Sequence, residues 1–128
     1  MTKKIINTSK APAPIGPYSQ AVWAANMLFI SGQVALIPET GEMANADISE
    51  ETHQVMKNLK SILTEGGLGF DDVIKTTIFL SDMNLFAQVN KIYGKYFEGN
   101  FPVRETVAVK GLPKNANVEI SMIAVNKI

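Results

Sequence analysis

Cysteine is absent from these 128 residues and histidine occurs once, at His53. The first absence excludes disulfides, thiolate metal sites and cysteine nucleophiles. The second leaves no multi-histidine metal site and little room for a Ser-His-Asp triad. Net charge is missing too: 12 basic side chains balance 12 acidic ones, so the footprint of a nucleic-acid or anionic-membrane binder is lacking. No run approaches the ~20 apolar residues of a membrane span. The opening Met1-Thr2-Lys3-Lys4-Ile5-Ile6-Asn7 carries two lysines but no apolar stretch behind them, unlike a secretory signal. The expectation is a soluble, cytoplasmic protein of one domain, residues 1–128, able to bury roughly two-thirds of its unfolded surface.

What is present reads as alternating strand and helix patterns. Lys4 to Ile6 suits a short edge strand. Ala11-Pro12-Ala13-Pro14-Ile15-Gly16-Pro17 cannot be helical, because its prolines fix φ and remove donors. It reads as an extended connector delivering Tyr18 and Ser19 to a strand. Ser19 to Ala24 and Met27 to Ser31 suit a hairpin turned at Ala25-Asn26, with Gly32 ending the second strand. Pro38-Glu39-Thr40-Gly41 is a turn by composition.

A helix is expected from Ser49 to Glu65. Val55, Met56, Leu59, Ile62 and Leu63 form one apolar stripe, Asp47 or Ser49 can cap it, and Gly66-Gly67 stops it. Val73 to Leu80 is apolar in both phases, as in a central strand covered on both faces. A second helix is expected from Leu85 to Phe97. Val103 to Val109 and Val118 to Val125 are strands joined by Lys110 to Asn117, which reads as a hairpin connection.

The order β-ββ-α-β-α-ββ predicts an α+β domain with a sheet carrying two helices on one face. Val73, Phe79, Ile123 and Val125 lie in the phase opposite to Ile74, Ile78, Ile120 and Met122, so the uncovered face is also apolar. A soluble monomer seldom exposes such a patch, and oligomerisation through the sheet is expected.

With so few reactive side chains, Arg104 stands out. It interrupts the valine-rich run Phe101-Pro102-Val103-Arg104-Glu105-Thr106-Val107-Ala108-Val109, on the strand face opposite Val103 and Val107. A guanidinium is a fixed fork suited to a carboxylate; the plain alternative is a surface arginine paired with Glu105 or Asp72. Glu119 interrupts Val118-Glu119-Ile120-Ser121-Met122, where a solvated sheet face is the plain alternative. On neighbouring hairpin strands the two would meet near one sheet end, as a carboxylate grip and a carboxylate base. His53 reads as solvent-exposed on the helix flank and Trp23 as packing. Asn90 reads as a helix-surface residue. Gly66-Gly67-Leu68-Gly69 follows a helix and lacks the lysine of a phosphate loop, so it reads as a cap.

Several segments together resemble the RidA/YjgF family of imine deaminases: Ile15-Gly16-Pro17-Tyr18-Ser19-Gln20-Ala21, Ser31-Gly32-Gln33, Lys75-Thr76-Thr77-Ile78-Phe79-Leu80, Val89-Asn90, Phe101-Pro102-Val103-Arg104 and Val118-Glu119-Ile120. They occur in the family's order along nearly the whole chain. The resemblance implies a chorismate-mutase-like fold and a homotrimer with a central β-barrel and sites between subunits. It implies hydrolysis of small 2-imino acids or their enamine tautomers, released by pyridoxal-phosphate enzymes, to 2-oxo acids and ammonia, with no cofactor or metal. By the same resemblance Arg104 binds the substrate carboxylate and Glu119 activates water, while Tyr18, Ser31, Gly32, Asn90 and Thr106 line the pocket. Thr106 stands where many members have cysteine, so thiol chemistry is not expected. The alternatives are a non-catalytic binder of small carboxylates and a chaperone-like trimer.

Overall fold

In the computed structural model, which describes residues 2–126, six strands form one mixed sheet backed by two helices. The strands are β1 (Lys3–Ile6), β2 (Ala21–Ala24), β3 (Met27–Gln33), β4 (Val73–Leu80), β5 (Val103–Ala108) and β6 (Val118–Val125). The helices are α1 (Ile48–Glu65) and α2 (Phe86–Gly94). Spatial order is β1-β2-β3-β6-β4-β5. All pairs are antiparallel except β4 and β5, which run parallel.

This order corrects the expected hairpin of β5 and β6: β4 lies between them, and β5 is an edge strand delivered by the β4-α2-β5 crossover. Parallel strands need such a crossover, and here α2 supplies it. The loop from Lys110 to Asn117 passes the end of β4 to reach β6. Only one extra strand spacing, ~5 Å, must be spanned, well within the reach of such a loop.

α1 starts at Ile48, one residue before the expected Ser49. The Asp47 side chain accepts the Glu50 N–H at 2.8 Å, which fixes the start. Gly66 N–H returns to the Ile62 carbonyl and Gly67 takes a φ of +77°, so the glycine pair does cap the helix. α2 is shorter than expected, beginning at Phe86 after a 3-10 turn over Met83–Leu85 and ending at Gly94. Beyond it, Lys95, Tyr96 and Phe97 donate to Ile92, Tyr93 and Gly94 in tighter three-residue turns.

The core lies between helices and sheet: Val55, Met56, Leu59 and Ile62 of α1 pack against Leu28, Ile78, Ile120 and Met122. The other sheet face is open in the single chain, with Phe29 43% and Val103 67% exposed. Within the single chain β4 is therefore covered on one face only. Two bulges alter the expected phases. Between Val73 and Lys75 the β4–β6 register slips, so Val73 is buried with Ile78 while Ile74 turns outward. Between Ile30 and Gln33 the β3–β6 register slips as well, so Gly32 sits inside a bulge and the strand continues to Gln33. No described helix is long and apolar enough to cross a membrane.

Candidate functional site

β5 places Arg104 opposite Thr76 of β4, and Thr76 in turn faces Met122 of β6. Thr76 and Met122 are buried beneath the helices, so Arg104 projects on the helix face, at the margin of the sheet. Its Nη1 donates to Asn90 Oδ1 at 2.6 Å, and its Cζ lies 5.5 Å from the Phe86 ring centre and 5.3 Å from that of Tyr93. All three partners come from α2, and two offer ring faces that favour a cation. Tyr93 is anchored by a 2.8 Å hydrogen bond with Thr76. Burial pushes its phenol pKa up, opposed by the Thr76 bond and by Arg104.

Arg104, Asn90, Tyr93 and Phe101 line a cavity of about 440 Å³. The plain alternative, Arg104 paired with Glu105 or Asp72, is not found among the described residues. Glu105 points to the opposite face and meets Lys75 Nζ at 3.4 Å, while Asp72 Oδ2 accepts the Gly69 N–H at 2.9 Å. Two residues past Arg104, on the same face, Thr106 buries a hydroxyl that has no hydrogen-bond partner among the described residues.

Glu119 occupies the other face. It pairs with Phe79 of β4 and alternates with the buried Val118 and Ile120. Strand spacing and rise set its Cα about 14 Å from that of Arg104. The expectation that the two sit on neighbouring hairpin strands near one sheet end is thus overturned: two strand gaps and the sheet itself separate them within the chain. The cause is the parallel placement of β5, which moved Arg104 beyond β4.

Half burial pushes the Glu119 carboxyl pKa up. The carboxylate rests against the bulge at Gly32, where a β-carbon would lie 2.3 Å from Glu119 Oε2 and 2.8 Å from Cδ. Any side chain at position 32 would therefore make the acid shift. Glu119, Tyr18, Ser31 and Gly32 line a cavity of about 300 Å³, walled by apolar Ile15 and Leu36 among others. Ser31 Oγ donates to the Ser19 carbonyl at 2.6 Å. The Tyr18 hydroxyl accepts the Ile15 N–H at 3.3 Å.

The sequence candidates thus fall into two groups: Arg104, Asn90 and Thr106 on the helix face, and Glu119, Tyr18, Ser31 and Gly32 on the other side. Sequence reasoning missed the buried amides that hold the second group. Gln20 is 2% exposed; its Oε1 accepts the Thr8 N–H at 2.7 Å and its Nε2 donates to the Thr8 and Pro12 carbonyls at 3.0 and 2.9 Å. Asn58 of α1 donates to the carbonyls of Val34 and Leu36 at 3.1 and 2.9 Å. A polar residue within an apolar stripe was the available signal for Asn58. His53 is not free in solvent as expected: it is half-buried, with Nδ1 2.7 Å from the Tyr96 hydroxyl. Among the described residues no three histidine, aspartate or glutamate side chains group as a metal site.

Residues 8–126 match a family model described as Endoribonuclease L-PSP. A 2-iminobutanoate/2-iminopropanoate deaminase of Mus musculus is 49% identical over 123 residues, covering 96% of this chain and 91% of the mouse protein. The crystal structure of YyfA from Yersinia pestis, of the conserved Rid protein family, superposes with a TM-score of 0.95 at 46% identity, covering 98% of this chain and 100% of that one. The structure of Escherichia coli TdcF with bound serine gives 0.93 at 41% identity, covering 97% of this chain and 99% of that one. Matches of this extent, on a chain whose fold and motif order agree, make this protein a member of the RidA/YjgF family.

Proposed function

We propose that this chain hydrolyses small 2-imino acids, such as 2-iminobutanoate and 2-iminopropanoate, to 2-oxo acids and ammonia, at a site assembled between copies of itself. The observation that carries this reading is the separation of Arg104 from Glu119 by the sheet. One grips anions and the other is a base, and a small molecule can touch both only if a second chain brings the missing half. The exposed apolar face around Phe29, Val103 and Val107 offers the surface for that assembly, in a homotrimer around a central barrel. The mouse relative's activity and the serine held by the E. coli relative fit a ligand built like an amino acid.

In this site Arg104 binds the substrate carboxylate through parallel hydrogen bonds, its guanidinium held in place by Asn90. Thr106 supplies its unpartnered hydroxyl nearby. Glu119, on the facing chain, takes a proton from water as the oxygen attacks the imine carbon. Glu119 then returns that proton to the carbinolamine nitrogen; the C–N bond breaks, ammonia leaves, the C=O of the oxo acid forms, and the hydroxyl proton passes to Glu119 and on to the departing ammonia. Tyr18 and Ser31 orient the bound molecule. A protonated imine is already a strong electrophile, so position and a base suffice. The zero net charge, and a lone histidine engaged with Tyr96, give no support to RNA cleavage.

The test couples a threonine dehydratase to 2-oxobutanoate formation, with semicarbazide trapping free imine. Native protein should protect the imine from trapping, and Arg104→Ala should not. Equal protection by Arg104→Ala would overturn the reading, and retained binding of 2-oxo acids without turnover would favour a non-catalytic carboxylate binder.

A further inference from the structure

Glu51 is a buried carboxylate that the chemistry above does not use. It lies near the start of α1 and is 1% exposed. Its Oε2 accepts the backbone N–H of Asn117 at 2.7 Å and of Val118 at 3.3 Å, and its Oε1 accepts Asn117 Nδ2 at 2.9 Å. Among the described residues no cation reaches it; N–H donors alone compensate its burial. An ionised carboxylate is acceptor-only and can satisfy several convergent donors at once.

Asn117 is gripped from its other side as well. Its carbonyl accepts the Ser81 N–H and its Oδ1 accepts the Ser81 hydroxyl, each at 3.0 Å. The clamp therefore ties the first residue before β6 to both α1 and the end of β4. It closes a loop in which Lys114 and Asn115 take left-handed φ values of 59° and 52°, conformations that side chains other than glycine adopt at some cost. Without the clamp, that loop has a reason to relax. Pro113, in the same loop, lines the Glu119 cavity. Glu119 itself lies two residues beyond Asn117, with its carboxylate against Gly32.

We infer that Glu51 is a positioning residue for Glu119: by fixing the backbone of Asn117 and Val118 it sets the depth at which the Glu119 carboxylate enters its cavity. The assignment rests on the proposed role of Glu119 as base, and it adds a polar connection running from the first turns of α1 through the sheet to the opposite face.

Three variants test it: Glu51→Ala, Glu51→Asp and Glu51→Gln. Glutamine keeps an oxygen for both backbone N–H groups, and its amide nitrogen donates to Asn117 Oδ1 once the Asn117 amide turns over and gives its Nδ2 to the Ser81 hydroxyl; aspartate keeps two acceptor oxygens but falls short by one methylene. Glu51→Ala should lower kcat about tenfold or more, as ångström-scale misplacement does, while KM stays within about twofold because the Arg104 grip stands on a different strand. Glu51→Asp should fall between, and Glu51→Gln should recover most of the rate. Should the alanine variant not fold, the aspartate variant carries the test.

Two readouts need no substrate: the NMR titration of the Glu119 carboxyl, and hydrogen exchange at the Val118 and Glu119 amides. In Glu51→Ala or Glu51→Asp the carboxyl should titrate at lower pH, as loosening lets water reach it, and the amides should exchange faster. Unchanged titration and exchange in a folded Glu51→Asp variant would overturn the inference, as would a glutamine variant as impaired as alanine. If wild-type protein proves inactive on imines the proposed function fails, yet the titration and exchange still decide the positioning role.

Discussion

The two cavities are built in different ways. Arg104 stands on an edge strand and leans on one helix, where a neutral amide and two aromatic faces hold it. Its surroundings are regular elements, and its cavity lies at the sheet margin where another chain can reach. Glu119 stands on a central strand against a bulge, and its cavity is walled by loops tied down with buried amides. Arg104 is exposed and held by packing on α2; Glu119 is half-buried, in a cavity whose walls are held by hydrogen bonds. Exposure leaves the arginine's charge ready for an anion, and burial raises the affinity of the acid for a proton.

The largest effect expected from breaking this division is at the base. Glu119→Gln should lower kcat by roughly 10²- to 10⁴-fold, the range that general-base catalysis contributes. In the native protein the acid limb of the kcat profile should lie above the usual carboxylate range, because burial raises that pKa and activity needs the ionised form. The sign for stability runs the other way. A raised folded pKa means that ionising Glu119 destabilises the fold as pH rises through that value. Glu119→Gln should therefore melt slightly higher than native at neutral pH, and the gain should vanish at low pH.

Next comes the grip. Arg104→Ala should reduce kcat/KM about a hundredfold, mostly through KM, as loss of charge-assisted hydrogen bonds worth ~3 kcal/mol requires. Steady-state kinetics on the two variants thus separate a binding half from a reacting half. Equal effects on KM and kcat in both would erase the distinction.

A smaller effect follows from the bulge. Gly32→Ala would drive a methyl group into the Glu119 carboxylate. The acid must shift, and kcat should fall about tenfold, an ångström-scale displacement at the reacting group. The smallest effect belongs to Thr106. Replacing its buried, unpartnered hydroxyl by a methyl in Thr106→Val should raise stability by up to ~1 kcal/mol, measured by urea denaturation, while weakening binding of a 2-oxo acid severalfold.

Much of this architecture was legible in the sequence where pattern and caps agree. The stripe from Val55 to Leu63 with Asp47 before it and glycines after it defined α1, and Val73 to Leu80 and Val118 to Val125 are strands over those same residues. Order in space was not legible. The loop from Lys110 to Asn117 looks like a hairpin connection because local sequence does not record that β4 lies in between. Nor do single extra residues at Ile30–Gln33 and Val73–Lys75 announce a bulge. Gln20, Glu51 and Asn58 were invisible as structural ties because their partners are backbone groups eight to sixty-seven residues away. Arg104, Glu119 and Asn90 were recognisable as candidates, but their division between two faces required the register.

The central claim is that the grip and the base come from different chains, and subunit mixing tests it most directly. Arg104→Ala and Glu119→Gln proteins, each reduced to about a hundredth of native activity or less at imine well below KM, would be unfolded together in equal amounts, refolded and assayed under that condition for protection of imine from semicarbazide. If sites form between copies, random assembly pairs an intact arginine with an intact glutamate at about a quarter of them, and about that fraction of native activity should return. A mixture no more active than its two components would place both residues of a working site on one chain and contradict the interfacial site.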